Sequence, residues 1–586
     1  MPDFAARVDA LIAEHFALHP LHATGAGIHD HDGRWPDMTE AGRAERVAFC
    51  DRWSAELAAL ASGDLTADER IDAEFLISEL AAHRFSETDL REDCWSPLEW
   101  VYLLGEGIFG LISREFAPPA DRLTSVASRL EGMPALLDAG RDALVGVEGR
   151  PVDRFHMEKA LDSFSGIGEL IDDALAQADS AAGSDPAVAE VLPRLRTAAT
   201  AGHAALDAFE EHLRETVLPV SVGEGRIGSE LFARKLLHTF RTDTATIDSI
   251  RERAEREFAA VRAEMVRIAR EIWPTWRPDE PLPSDDSAVV RGVLDAIAVE
   301  HPAADEILDF CRAELATIEA FCRDHDIIGL ADEPLEIRWT PVFMRTFAGA
   351  MLSSPGPFDV GQKAFFSVTP VDDEWPPERA ESYLRESNAR MLQLLVIHEA
   401  VPGHYLQGVY ANRSTSVARS VFGSGVFAEG WAVYVTQVMI DAGFGADDPA
   451  LLLNHWKFYL RSTTNALIDI GIHTAGMTED EAISLMVDGG FQEEGEARSK
   501  YDRARLSSTQ LCTYFVGSVE MWDMERERRR RMAGASGDPR GADAVPEPRV
   551  VGGFGDTPGF VHREHLEEVI SHGEPPIPFL RRIVLG

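Results

Sequence analysis

The chain has 586 residues, 45% hydrophobic and 26% charged, an ordinary globular balance with material for a sizeable core. A formal net charge of −43 argues against nucleic acid and anionic membranes as partners, since both carry the same sign. Five scattered cysteines (Cys50, Cys94, Cys311, Cys322 and Cys512) contain no CxxC pair, so they read as reduced thiols rather than a disulfide frame or thiolate metal site.

In chain order, Met1–Asp9 shows neither a basic segment nor a long apolar run, so no secretory signal is read and a cytoplasmic location is expected. Apolar residues at three- and four-residue spacing predict helices over Ala5–Phe16, Ala41–Ser62, Ala67–Arg84, Pro119–Val145, Val152–Ala181 and Pro186–Leu213. After a turn at Gly223–Gly228, Glu230–Ile272 reads as one or two long amphipathic helices ending at Trp273-Pro274. A Pro-rich connection, Pro274–Pro283, leads to helices at Ser287–Glu300 and Ala303–Asp324. The texture then changes: Leu335–Trp339 and Ala364–Val368 have strand composition, bounded by Pro341, the segment Ser353–Pro357, and Pro370. Helices resume from Pro377, and Ala533–Pro548 reads as a flexible small-residue loop. Ser420–Ile440 comes nearest to a membrane span, but Glu429 near its middle, preceded by Gly423 and Gly425, makes it a buried segment. The expected class is mainly α with a small sheet: a helical lobe over 1–330, then the sheet and site helices over 331–586.

Between Leu392 and Thr436 ionisable residues stand in apolar surroundings. His398-Glu399-Ala400-Val401-Pro402-Gly403-His404 follows Leu394-Leu395-Val396-Ile397, and Glu429 lies within Val426–Val435. Such groups cost several kcal/mol unless paired or bound to a metal. Two imidazoles, an adjacent Glu and a second Glu are what a hydrolytic zinc site needs: three ligands, one base and an open position. The spacing is unusual, because two His six residues apart on a regular helix point about 120° away from each other. Pro402 and Gly403 supply the means to break or bend the helix and swing His404 back. The alternative is a pair of unrelated histidines in a broken helix, with Glu429 satisfied by an Arg or a helix N-terminus.

These residues resemble a known family. His398-Glu399-Ala400-Val401-Pro402-Gly403-His404-Tyr405-Leu406-Gln407 and Glu429-Gly430-Trp431-Ala432-Val433-Tyr434 are similar to the HEAxPGHxxQ and EGWAxY motifs of the bacterial DUF885 family. That family resembles M32-type carboxypeptidases and other gluzincin metallopeptidases in fold. The resemblance spans nearly the whole of 1–586, from Leu18-His19-Pro20-Leu21-His22-Ala23-Thr24-Gly25 through Asn465–His473 to Pro576–Arg581. It implies that His398, His404 and Glu429 ligate one zinc ion per chain and that Glu399 activates the water. It also implies a large two-lobed helical, metallopeptidase-like fold whose small β-sheet lies next to the active-site groove. One segment departs from the pattern: where the family reads P-G-Q-A-L-S-Y, this chain has Ser508-Thr509-Gln510-Leu511-Cys512-Thr513-Tyr514.

The expected chemistry is peptide hydrolysis, with zinc polarising the scissile carbonyl and Glu399 moving the proton to the leaving amine. Tyr514 and His473 are the candidates for a second oxyanion donor, with core packing as the competing reading for each. A terminal carboxylate needs an Arg fork; among Arg461, Arg498, Arg503 and Arg505, Arg503 aligns with a basic position upstream of the family's Gln-Ala-Leu segment. Gln510 joins Arg503 as a substrate-binding candidate. Ala364–Val368 would align an extended peptide by main-chain pairing, unless an internal partner fills it. Glu525–Arg531 reads as a solvated helix end, and His562-Arg563-Glu564-His565 as an exposed helix start rather than a metal cluster. A zinc metallopeptidase of short peptides is thus the expectation. The alternatives are a non-catalytic helical scaffold and a metal-dependent hydrolase of another amide.

Overall fold

The computed structural model describes residues 4–340, 345, 349–372, 375–535, 551, 553–554 and 557–586. It is mainly helical with one three-stranded sheet, and it divides into two compact units: Met1–Arg226 with Pro355–Gln362, and Ile227–Ser354 with Lys363–Gly586. The division falls at Arg226, whereas the change of texture in the sequence lies near residue 330.

The first unit is built from helices over Phe4–Leu18, Glu40–Ala61, Ala67–Phe85, Leu98–Ile112, Pro119–Ala143, Arg154–Ala182 and Pro186–His212. Most follow the sequence periodicity to within a few residues. Leu98–Ile112 has no such signal, because it is apolar on most faces and carries three glycines. Polar caps mark the starts: Thr66 and Glu69 form a reciprocal capping box, while Asp153 and Asp185 accept from first-turn amides. Leu130, Met133, Leu137, Phe164, Ile171, Leu195 and Phe209 form the buried interior. The return segment attaches through the Phe358 N–H, which donates to Ala26 O at 2.9 Å.

The second unit holds the sheet and every residue of the expected site. Glu230–Ile272 resolves into two helices, Ser229–Phe240 and Ile247–Trp276, separated at Arg241, which adopts a left-handed φ of 54°. The second helix runs through Pro274 for one more turn. Strand β1 (Leu335–Trp339) pairs in parallel with β3 (Ala364–Val368), and β2 (Ala350–Ser353) pairs antiparallel with β3. β2 is absent from the sequence reading: four residues before a Ser-Pro-Gly-Pro turn are too few to show alternation. Because β3 is central, both its edges are filled, so it is not the strand that could receive a peptide; β2 is an edge.

Gly425–Asp441 is buried along nearly its whole length, as expected, and among the described residues no helix is long and apolar enough to cross a membrane. Two surface assignments are corrected. Glu525 and Arg529 are buried, with Arg529 Nε donating to Glu525 Oε1 at 2.6 Å and the Tyr434 hydroxyl bonded to the same carboxylate. His565 is likewise a core residue within the helix His562–Ile570. The loop expected at Ala533–Pro548 begins as the end of the helix Cys512–Ala535; its remainder, like Pro341, lies outside the described residues.

Candidate metal centre

His398 and Glu399 close the helix Ala389–Glu399, which starts on an Asn388 side chain that accepts from the Arg390 and Met391 amides. The helix buries Met391, Leu392, Leu394, Val396 and Ile397, placing its polar end in a dry interior. The chain leaves the helix at Ala400 (φ −107°, ψ −91°), crosses a cis Val401–Pro402 peptide and starts a new helix, His404–Asn412. The outcome is thus two helices rather than one kinked helix. Gly403 makes the junction possible: its N–H donates to Ile397 O at 3.0 Å, and a Cβ there would lie 1.8 Å from His398 O. The indole of Trp431 holds the loop by donating to Pro402 O at 2.9 Å. This break brings the His398 and His404 rings to 4.9 Å between centroids, at 83°.

Glu429 arrives on Gly425–Asp441, whose first turn is capped by Ser424. The next residue, Gly430, sets a close helix crossing: a Cβ on it would meet Gly517 C at 2.4 Å, and one on Gly517 would meet Val426 O at 2.3 Å. That crossing carries Tyr514, three residues before Gly517 on the helix Cys512–Ala535, to the side of Glu429, whose carboxyl it helps to hold down. The Tyr514 hydroxyl accepts from Arg503 Nη2 at 3.1 Å, and the same Nη2 donates to Gln510 Oε1 at 3.1 Å.

One ligand atom from each of His398, His404 and Glu429 lies within 4.8 Å of the other two. Glu429 Oε2 is 3.6 Å from His404 Nε2 and 4.0 Å from His398 Nε2. These separations are too long for hydrogen bonds and short enough for three donors around a shared ion. The donor set, two imidazoles and a carboxylate, could therefore hold a borderline transition-metal ion. Glu399 stands outside the set, in contact with the N–H of Leu352 on the edge strand β2.

The electrostatics follow from burial and mutual proximity. Burial, helped by the charge of Glu429, pushes the Glu399 carboxyl up to about 7 against the opposing pull of His404 and the Leu352 amide. His398 is driven down to about 3 by burial and then by the charge on His404. Burial also works against a charged His404, but the adjoining Glu429 carboxylate outweighs it and raises the ring to about 9. Glu429 is held below the ordinary carboxylate range: burial opposes this, and His404 overcomes it. Tyr514 is pushed up to about 12 by burial and by Glu429.

Other expected residues divide cleanly. His473 is a core residue and not part of this cluster: its Nδ1 accepts from the Ile227 N–H at 3.3 Å, its Nε2 donates to Ala504 O at 2.8 Å, and its ring stacks on Phe232. Its aliphatic helical neighbours suited a core histidine as well as a site one. Arg461 is committed to Glu386 and Glu496, Arg498 to Glu479 and Glu494, and Arg505 to Asp502; Arg503 alone of the four reaches Tyr514. Two supporting residues escape the sequence reading. Gln407, whose side chain helps to raise the His404 ring, donates its Nε2–H to Glu574 Oε1 at 3.0 Å, and Glu574 is half-buried. Gln407 has a signal, one helical turn from His404, but Glu574 lies in Gly573-Glu574-Pro575 with no periodic context.

The family description "Bacterial protein of unknown function (DUF885)" matches residues 20–541. The chain belongs to this family. No curated protein matches. A solved structure from Shewanella oneidensis, described as a putative lipoprotein of unknown function, is 31% identical with a TM-score of 0.80 and covers 100% of both chains. One from Colwellia psychrerythraea, also described as a putative lipoprotein, is 14% identical with a TM-score of 0.76, covering 99% of this chain and 98% of that one, a likeness of fold alone. Against the DUF885 motif, the missing Pro-Gly turn has a local substitute. Thr509, at the glycine position, adopts a left-handed φ of 67°, donates its N–H to Asp469 Oδ1 at 3.2 Å and places its hydroxyl 3.0 Å from that of Thr239. Asp469 also accepts from the Cys512 N–H at 3.1 Å, so it caps the helix that carries Tyr514.

Proposed function

We propose that this DUF885 protein is a zinc-dependent hydrolase, a gluzincin-like metallopeptidase of carboxypeptidase or oligopeptidase type that cleaves short peptides. The observation that carries the reading is the position of Glu399: a buried carboxyl beside three converging donors yet outside their set. A carboxylate so placed is suited to removing a proton from water and returning it to a leaving amine. Zinc, when bound by His398, His404 and Glu429, supplies Lewis acidity toward water and the scissile carbonyl. Tyr514 is the candidate donor to developing oxyanion charge, a role supported by its hydroxyl's bond with Arg503 beside Glu429. Arg503 and Gln510 are suited to a substrate carboxylate, the guanidinium as a two-pronged donor. An extended peptide as substrate is favoured by the edge strand β2, whose Leu352 N–H is directed at Glu399 on the side away from β3. The likeness to M32-type carboxypeptidases belongs to this proposal. So does a reducing compartment, supported by five buried, unbridged cysteines.

The test is Glu399→Gln in the full chain, with zinc content and peptide-library digestion measured together. The parent should carry zinc and cleave; the variant should keep the zinc and lose at least about 10²-fold in hydrolysis. A zinc-loaded parent that cleaves no peptide would point to a scaffold, and a variant that loses zinc would make Glu399 a ligand.

A further inference from the structure

The first unit contains a second convergence of ligand atoms, built from histidine alone. His15 lies on the helix Phe4–Leu18, and His19 extends its last turn through a backbone bond from its N–H to His15 O at 2.8 Å. The pair is therefore spaced i, i+4 on one face. His83 reaches the same place from the end of Ala67–Phe85. One ring nitrogen from each of His15, His19 and His83 lies within 4.8 Å of the other two. His22, on the short helix Pro20–Ala26, is hydrogen-bonded to His15, its Nδ1 2.8 Å from His15 Nε2. The ring centroids are 4.4 Å apart for His15 and His19, 5.5 Å for His15 and His83, and 5.8 Å for His19 and His83.

We propose that His15, His19 and His83 form a site for a borderline divalent transition ion of the zinc, nickel and copper class. An all-imidazole set selects these ions over calcium or magnesium, which prefer oxygen. Glu79 Oε1, 3.1 Å from His83 Nε2, supplies a carboxylate of the kind that commonly backs metal-bound imidazole. Arg46, whose charge acts on His19, is paired with Glu87. The ion would tie the helix Phe4–Leu18 to the helix Ala67–Phe85, and it shares no residue with the centre at His398.

The experiment is zinc titration of the metal-free full-length protein against a chromogenic chelator, with the parent, His398→Ala and His83→Gln compared. The parent should bind two equivalents and each variant one. Copper(II) loaded into His398→Ala should give an electron paramagnetic resonance spectrum with splitting from at least three nitrogens, lost in His398→Ala/His83→Gln. His19→Asn, at a partly exposed position, repeats the test should His83→Gln lose its helical circular dichroism. A single parental equivalent that His83→Gln abolishes and His398→Ala spares supports this site while removing the reading of the other. A parent that binds no zinc, or whose binding neither His83→Gln nor His19→Asn reduces, overturns the proposal.

Discussion

His404 illustrates how one residue's chemistry depends on its neighbours: the ring sits at about 9 because Glu429 adjoins it, while His398, 4.9 Å away between centroids, is near 3. Removing Glu429 deletes both a donor and the charge that organises the pair. Glu429→Ala should therefore weaken zinc binding by more than about 100-fold, since loss of outer partners alone costs 10–100-fold. Retention of zinc by that variant through dialysis against a weak chelator would show that the carboxylate is not a ligand. Thr509 offers a separate test. A β-branched residue at φ 67° stores conformational energy that glycine would not. Thr509→Gly and Thr509→Ala both lose the contact with Thr239, so their difference isolates the backbone term. Urea denaturation should find the glycine variant more stable by about 1 kcal/mol; equal stabilities would mean the left-handed turn is not occupied in solution.

Among elements, the helices flanking the site are tied by buried charge as well as by apolar contact. Glu386 ends the helix Pro377–Glu386 and accepts from Lys457 Nζ at 2.8 Å and from Arg461, both on Pro449–Ala475. Arg461 continues to Glu496 on Glu494–Leu506 at 2.6 Å, so three helices share one network. Burial works against the Glu386 carboxylate, but Lys457 and Arg461 outweigh it and hold the group at about 2. A carboxyl depressed in the folded state adds stability above its unfolded pKa and loses it as pH falls through the folded one. The contribution should thus be complete at neutral pH and vanish from about pH 4.5 down to about pH 2. Glu386→Gln leaves two cations facing a neutral partner and should cost about 3–5 kcal/mol at pH 7, with much less difference from the parent near pH 2. Thermal melts of both proteins across that range provide the check, and a pH-independent difference would assign the loss to packing instead.

At the scale of the whole chain the dominant quantity is charge. A net −43, with only five lysines among the 56 basic residues, leaves acidic side chains in large excess over basic ones. Self-repulsion of that size opposes the folded state and is screened over about 10 Å at 0.1 M salt. Raising sodium chloride from about 0.05 M to about 0.5 M should therefore raise the melting temperature by several degrees, before any ion-specific effect. A melting temperature that falls with salt would mean that surface ion pairs, such as Arg194 with Glu131 and Arg413 with Glu333, outweigh the repulsion.

The long helices and the set His398, Glu399, His404 and Glu429 are legible in the amino-acid order, because periodicity is local and a buried charge in an apolar run needs an explanation wherever the run folds. The resemblance to DUF885 motifs added Tyr514, Arg503 and Gln510, which the structure places in one hydrogen-bonded chain beside Glu429. Where His404 would point was beyond reach of spacing, since six residues on a helix diverge; the answer lay in a carbonyl at His398 that leaves no room for a Cβ at Gly403. Tertiary structure alone decided that His473 is a core residue, that β2 and not β3 has a free edge, and that Glu574 supports Gln407. It also brought His83 to His15 and His19 across more than sixty residues of sequence. Each of these depends on partners distant in the chain, and a periodic pattern records which face of an element is buried without recording what it is buried against.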